Sequence, residues 1–324
     1  MIHATRSTVR AAVAAAMVAL ILTGVTSAQS DFPNRPISVV VPFSAGGGSD
    51  VAARAMAAVS DRYLPVPIQV VNMPGAGGAT GGRYVAFSDP DGYTLLHGTF
   101  GPSLTVPILG DVGYTNESFI AIARKQAPTM VLVARAGLWE TVDELIADAL
   151  ERPGRISYGS SGAGGAQHFP MEILQRALGI ELLHIPFDGG ADAMLALQGG
   201  HIDLTFGTAS TVLPAIESGY AIALAHGDTE RVDAMPEVPT FLELGHDFEW
   251  VHWRAIFAPA GTPDEVVAYL EEAFLALFED EDFIQRLTAT GDPPRPLGSE
   301  AFGAFYNRQY QDITAVAEEL DMID

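Results

Sequence analysis

Cysteine is absent from the 324 residues, which excludes a disulfide framework and a lipid-modified cysteine, so stability has to come from packing alone. Lysine is nearly absent too, Lys125 being the only one. With 17 Lys and Arg against 40 Asp and Glu the formal charge is −23, which argues against nucleic acid and anionic membrane surfaces, since both are bound by basic patches. An acidic, lysine-poor surface fits a salt-rich habitat where such a field is screened; base-composition drift is the competing explanation. Metal-site patterns are missing as well: the eight histidines are scattered, with no His-Glu-x-x-His and no ligand spacing, so neither metal nor cofactor is expected.

Long apolar runs are lacking beyond Ala11 to Leu22, and a run of about a dozen is short for a bilayer span. Preceded by Arg6 and Arg10 and followed by Thr26, Ser27 and Ala28, it reads as a signal peptide over residues 1–28, removed on export. The mature chain of about 296 residues, with a formal charge of −25 once those two arginines are gone, is long for one core and comfortable for two lobes.

What the chain has in quantity is glycine at strand ends. Ile37 to Val41 is a β-branched run bounded by prolines, as expected of a strand buried on both faces. It feeds a loop holding Gly46, Gly47 and Gly48, and a helix opens near Ser49 and Asp50. The pattern returns at Ile68 to Asn72, with a second loop holding Gly75, Gly77 and Gly78 ahead of Arg83 to Phe87. Glycines let the backbone turn tightly, and the first amides of a helix have no internal partner and favour negative charge. Two such loops can make a cradle for an anion. Neither is a nucleotide fingerprint, because Thr80 stands where a third glycine is needed and no Gly-Lys-Ser/Thr ending exists. A small anion remains, most simply a carboxylate. Asp50 and Arg54, four apart on one helix, most simply pair with each other.

Further strands are expected at Tyr93 to Thr99, Phe119 to Ala123, Thr129 to Ala134, Ile156 to Gly159, Glu181 to Ile185 and Asp203 to Thr208. Glycine loops follow several of them, and helices alternate with them, over Thr141 to Leu150, Gln167 to Leu178 and Ala191 to Leu197. Thr99 sits at the carboxyl end of its strand. Alternation of this kind means a mainly parallel sheet with ligands outside the strands' carboxyl ends. The chain returns to the first lobe through Val251 to Pro259, then a helix from Pro263 and a last helix over Phe302 to Leu320. Two lobes joined by two crossings make a clamshell whose cleft is the expected site.

Catalytic groups are hard to find. Gly159 to Ala163 misses the nucleophile elbow by its final glycine. His168 reads as a helix-capping or cleft-wall residue before it reads as a base, and Asp188 either caps the helix after Gly189 and Gly190 or meets a ligand.

The stretches Pro33 to Arg54, Asn72 to Gly78, Asp91 to Leu96, Ser161 with Gly162 and His168, Pro186 to Gly190, Gly199 to Asp203, Pro236 to Thr240 and Ala258 to Pro263 together resemble the Bug-type substrate-binding receptors of tripartite tricarboxylate transporters. The similarity covers the mature chain in order. It implies an α/β, two-lobed periplasmic binding protein of type II-like clamshell form, with lobe 1 over 29–132 and 253–324 and lobe 2 over 133–252. It implies a non-enzymatic, monomeric receptor that closes on a small carboxylate and delivers it to membrane permease subunits. By position the carboxylate would be held by Phe43, Ser44, Ala45, Gly46, Gly47 and Gly48 with Gly75, Ala76, Gly77 and Gly78, beside Thr99. The ligand's other end would meet Ser161, Gly162, His168, Asp188, Gly189, Thr208 and Ala209. Two departures stand out: Phe187 where the family often has tyrosine, and the apolar stretch Gly164 to Ala166; both remove donors for polar substituents. The competing class is an exported α/β hydrolase of a small acid with His168 and Asp188 as acid and base, and a receptor that feeds signalling is a third.

Overall fold

The computed structural model describes residues 32–250, 252–319 and 322–323. The expected leader over 1–28, the strand start at Val251 and the helix end at Leu320 lie outside the described residues. Strands run in chain order β1 (Ile37–Val41), β2 (Ile68–Asn72), β3 (Thr94–Thr99), β4 (Phe119–Gln126), β5 (Met130–Arg135), β6 (Ser157–Ser160), β7 (Leu183–Pro186), β8 (Leu204–Thr208), β9 (Ala221–His226), β10 (Arg254–Pro259) and β11 (Pro294–Gly298). They form a six-stranded sheet, β11-β4-β10-β3-β1-β2, and a five-stranded one, β7-β6-β8-β5-β9. β5 belongs wholly to the second sheet and β10 to the first, so the chain passes over at 127–129 and returns between Trp250 and Arg254.

The sheets are mixed, which corrects the expectation of mainly parallel ones. β1 pairs parallel with β2 and β3, and β6 parallel with β7 and β8. The strands next to the crossings, β4 with β10 and β5 with β8 and β9, run antiparallel. Only the strand-loop-helix half of each sheet is therefore parallel, and there the carboxyl ends open beside a strand-order switch, β3-β1-β2 in one sheet and β7-β6-β8 in the other. Such a switch point is where open α/β sheets bind ligands.

Helices cover the faces: α1 (Gly48–Ala57), α2 (Ala79–Ala86), α3 (Val106–Leu109), α4 (Val142–Glu151), α5 (His168–Leu178), α6 (Gly190–Gln198), α7 (Ala209–Glu217), α8 (Asp264–Phe278), α9 (Glu281–Thr288) and α10 (Ser299–Glu319). Their starts follow local chemistry. The Thr141 hydroxyl accepts from Glu144 N–H at 3.2 Å to cap α4, and Asp280 accepts from Asp282 and Phe283 N–H to cap α9; each such cap stabilises by about 1 kcal/mol. Pro263 stands one residue before α8, as its cap and not its first residue. In α8 Val266, Leu270, Phe274 and Phe278 recur every four residues and are buried, giving one apolar stripe.

Residues 35–324 pack as one unit, because aromatic side chains bridge the two sheets' cores. Phe100, directly after β3, is fully buried with its ring 4.4 Å from that of Trp250 and 6.1 Å from that of Phe169, both on the second-sheet side.

Candidate functional site

The first glycine loop is held in shape before any ligand arrives. The Asp50 carboxylate accepts from Gly46 N–H at 2.9 Å, Arg54 Nε at 3.0 Å and Asn72 Nδ2 at 3.0 Å, and Asn72 Nδ2 also donates to the Phe43 carbonyl. Burial opposes the charge on Asp50, but these hydrogen bonds and the Arg54 charge outweigh it and hold its pKa below the usual carboxylate value. The i,i+4 pair read from the sequence is thus part of the loop's scaffold.

The loops of the two sheets meet. Gly77 approaches so closely that a Cβ on it would lie 2.5 Å from the Ala163 carbonyl, and one on Gly162 would lie 2.5 Å from Gly77 N. A Cβ on Gly48 would overlap the Arg254 guanidinium and lie 2.7 Å from Thr208 Oγ1. One on Gly189 would come within 3.2 Å of Ser44 N. The Thr105 hydroxyl donates to the Gly164 carbonyl. The protein is therefore in a closed form, and glycine is used where backbone meets backbone across the cleft.

Two spaces lie beside these loops. The smaller is a cavity of about 50 Å³ lined from the first-sheet side by Phe43, Gly48, Ser49, Thr99, His252 and Arg254, and from the second by Met130, Ser161, Ala166, Gln167, Gly190, Thr208 and Thr211. Four helix starts converge on it: α1 at Gly48, α5 at its cap Gln167, α6 at Gly190 and α7 at its cap Thr208. Each brings the positive end of a helix dipole, although the first amides of α5 (His168 and Phe169) donate to the Gly165 carbonyl and that of α7 (Ala209) to the Thr129 carbonyl. Arg254 adds a formal charge and is 1% exposed. Its Nη1 donates to Asp292 Oδ2 at 2.9 Å and to Gln126 Oε1 at 3.4 Å, and its Nη2 donates to Thr208 Oγ1 at 3.0 Å. Among the described residues, Arg254 Nε, Thr99 Oγ1, Ser161 Oγ, Gln167 Oε1 and His252 Nδ1 are buried polar atoms of the lining with no protein partner. An unsatisfied buried polar atom costs about 1–3 kcal/mol, so a concentration of them marks a place built for a polar guest.

Behind the cavity the electrostatics are unusual for so acidic a chain. The register between β4 and β10 jumps from the Arg254–Gln126 pair to the Ala255–Arg124 pair, which leaves Lys125 as the extra residue of a β-bulge. The only lysine is fully buried, and its Nζ has no partner among the described residues. Burial, with the Arg254 charge nearby, pushes its pKa far down. Burial likewise lowers His97 well below the usual histidine value and His252 to about 3, again with Arg254 contributing.

The larger space is an open groove of about 1060 Å³, lined by Ser44, Ala76, Gly77, Gly162, His168, Asp188 and Asp192 together with the apolar Val106, Leu109, Val112, Phe187 and Met322. His168 is committed to structure: its Nδ1 accepts from Gly164 N–H at 3.0 Å and its Nε2 lies 3.5 Å from Glu172. Its ring stacks 4.0 Å from His184, whose Nε2 is 2.6 Å from Ser160 Oγ. Burial lowers the pKa of both rings, that of His184 to about 4.

The expected ligand residues therefore divide. Phe43, Gly48, Thr99, Ser161 and Thr208 line the cavity, and Ser44, Ala76, Gly77, Gly162, His168 and Asp188 line the groove. Ala45, Gly46, Gly47, Gly75, Gly78, Gly189 and Ala209 line neither. Of these, Gly189 packs on Ser44, Gly78 on Pro102, and Ala209 is core. The helix after Asp188 is capped by Gly189 with no side-chain bond, so Asp188 is not its cap.

Residues 52–321 match the family model described as the tripartite tricarboxylate transporter family receptor. The chain belongs to that family. Among solved relatives, the periplasmic binding protein BugD is 32% identical over 90% of this chain and 99% of its own, with a TM-score of 0.85. MatC from Rhodopseudomonas palustris with bound malate is 29% identical over 88% of this chain and 99% of its own, with a TM-score of 0.84. A TctC solute-binding protein from Polaromonas with no ligand is 32% identical over 89% of this chain and 99% of its own, with a TM-score of 0.66. As a member of a family of receptors, the chain has the α/β two-lobed fold of periplasmic binding proteins. What sequence reasoning missed in this receptor is Arg254, Gln167, Ser49, Gly190, Thr211, Met130 and His252. The available signal for Arg254 was a charge followed by the apolar run Ala255 to Ala258, which implies a buried, partnered cation.

Proposed function

We propose that this protein is an exported receptor that captures a small carboxylate by closing two lobes on it and delivers it to the permease of a tripartite tricarboxylate transporter. The expected lobe bounds, 29–132 with 253–324 and 133–252, shift to 35–126 with 254–324 and 130–250, because β5 starts at Met130 and lies in the second sheet. The observation that carries the reading is the small cavity between the sheets: four helix starts and one buried arginine converge on unpartnered polar atoms in a chain of net charge −23. Local dipoles and one guanidinium hold an anion there against the global field. Phe43, Gly48, Thr99, Ser161 and Thr208 contact the ligand, and the Gly75–Gly78 and Gly162–Gly165 loops form the seam that shuts over it.

Closure is a population shift: the ligand touches both lobes only in the closed form and so favours it. At nearly equal identity, a TM-score of 0.84 to the malate-bound relative against 0.66 to the one without ligand is what a different lobe setting produces, and this supports reading the present form as the capture state. The leader over 1–28 is removed on export, and the receptor works as a monomer in the periplasm.

A thermal-shift panel of mono-, di- and tricarboxylates at low and high salt, followed by calorimetry, tests this. A ligand at about 100 times its Kd raises stability by roughly 2.7 kcal/mol, a visible shift. One-to-one binding without turnover is expected, with compaction in solution scattering; turnover of the bound acid, or no response to any carboxylate, sinks the reading.

A further inference from the structure

The second-lobe side of the seam depends on where one histidine keeps its hydrogen. The Gly162–Gly165 loop carries the backbone that meets the first lobe: the Ala163 carbonyl lies against Gly77, and the Gly164 carbonyl accepts from the Thr105 hydroxyl. Gly162 and Gly164 have φ of 107° and 68°, so the loop's shape is one that glycine permits. Two side chains hold it there. Ser160 Oγ accepts from Gly162 N–H at 3.1 Å, and His168 Nδ1 accepts from Gly164 N–H at 3.0 Å. A backbone N–H only donates, so Nδ1 carries no hydrogen in this form. The one hydrogen of a neutral ring is then at Nε2, 3.5 Å from Glu172.

A further proton on this ring has only Nδ1 to occupy. It would set N–H against N–H, and the Gly164 bond that shapes the loop would be lost. The charge would also lie against His184, whose ring stacks at 4.0 Å and 27° and is in turn 4.9 Å from that of Tyr158. After burial, the charge of His168 is what lowers the pKa of His184. The ionisable groups around the pair are Glu172 on α5, Tyr158 on β6 and, lining the same groove, Asp188 and Asp192 around the start of α6. Glu172 is the carboxylate beside His168, but its Oε1 already accepts from Tyr158 Oη at 2.7 Å and Gln175 Nε2 at 3.0 Å. Burial outweighs its attraction and lowers the pKa of His168.

We propose that neutral His168 is the positioning residue of the seam, and that a proton on its Nδ1 releases the Gly162–Gly165 loop from the shape that meets the first lobe. The inference rests on the receptor reading only for its consequence, which is weaker capture in acid. A ring freed from Gly164 takes a proton near 6.5 and the held ring only below that. The hold is therefore complete above about pH 6.5 and is lost as pH falls through the held value.

The test is NMR on the purified protein from about pH 7.5 to 4.5, with calorimetry beside it. The His168 ring should titrate below 6.5, and the Gly164 amide shift should move with the same midpoint. Its exchange protection, corrected for the intrinsic pH dependence, should fall by about ten-fold over that range. His168→Asn keeps an acceptor at the place of Nδ1 but does not titrate, so its Gly164 protection should stay within about two-fold. His168→Phe has no acceptor and should leave Gly164 unprotected throughout, with unchanged circular dichroism. For acetate, L-malate and succinate, dividing the wild-type affinity by that of His168→Asn at the same pH cancels the ligand's own titration. That ratio should fall about five-fold between pH 7.5 and 5 for each acid that binds. A Gly164 amide that ignores the His168 titration, a ring that titrates at or above 6.5, or His168→Asn losing protection as the wild type does overturns the positioning role and leaves the receptor reading standing. A constant affinity ratio overturns the consequence for capture. Binding of none of the three acids counts against the receptor reading, while the amide measurements still decide the role of His168.

Discussion

The cavity and the groove lie on the same seam and share three loops, yet they are built differently. The groove is some twenty times larger, and its walls are Val106, Leu109, Val112, Phe187 and Met322 with two carboxylates, Asp188 and Asp192. The cavity is small, with Arg254 its one charged side chain and, among the described residues, five unpartnered polar atoms on its lining. Size favours the groove, and chemistry favours the cavity. An anion entering the groove meets like charge and apolar wall; one entering the cavity replaces unpaired donors' missing partners, which is where desolvation is repaid. The contrast teaches that in a closed clamshell the remaining volume marks the path and the unsatisfied groups mark the seat.

The strongest way to break that contrast is to keep the cavity from closing. Gly48 is the first residue of α1, and a Cβ there meets the Arg254 guanidinium and, at 2.6 and 2.7 Å, the hydroxyls of Ser210 and Thr208. Gly48→Ala should therefore prop the lobes apart, reduce carboxylate affinity by 100-fold or more, and leave each lobe's secondary structure intact. Calorimetry with solution scattering reads this. Gly46→Ala is the control, with a positive φ but open space around its Cβ, and should cost local strain without blocking closure. Equal losses in the two variants would mean that backbone conformation matters here and interlobe contact does not.

Acid distinguishes the two regions next. His252 on the cavity is held to about 3 and His184, stacked on the groove's His168, to about 4, both first by burial. Both are neutral in the fold and take a proton near 6.5 once unfolded, so their contribution to stability is complete above about pH 6.5 and falls as pH drops toward these folded values. Denaturant midpoints should decline from pH 6.5 to 4, and imidazole NMR should show both His184 and His252 titrating well below the usual histidine value. A midpoint that is flat over that window, or either ring titrating near 6.5, would show that burial does not set these pKa values.

Which parts of this were legible beforehand follows from what sequence neighbours can report. The pair behind the loop after β1 was legible because it is local: Asp50 and Arg54 lie four apart, as do Asp50 and Gly46, whereas the bond from Asn72 on β2 to the same carboxylate was not read. The cap on α4 was legible for the same reason. Arg254 was not, because its meaning comes from pairing: the antiparallel register sets it opposite Thr99, and the bulge at Lys125 sets Gln126 beside it. Those contacts are 128 to 155 positions apart, and the glycine pattern does not report on them. β11 was missed because Pro294 and Pro296 argue against a strand, yet it is an edge strand, where proline is tolerated. The mixed sheets were missed because alternating strands and helices report on the parallel half alone.

The smallest expected effect sharpens the comparison most. Asp188 lines the groove, and no cap bond fixes it. If the anion sits in the cavity, Asp188 acts only through its field at the mouth, which salt screens over about 8–10 Å at physiological ionic strength. Asp188→Asn should then leave the affinity of any carboxylate that binds within two-fold of wild type at 0.15 M salt. At low salt it should speed association slightly, since a like charge has been removed from the approach. Stopped-flow association rates at two ionic strengths, read beside the calorimetric Kd, separate the terms. A ten-fold loss of affinity would place Asp188 in contact with the ligand, and the seat of binding would move from the cavity into the groove.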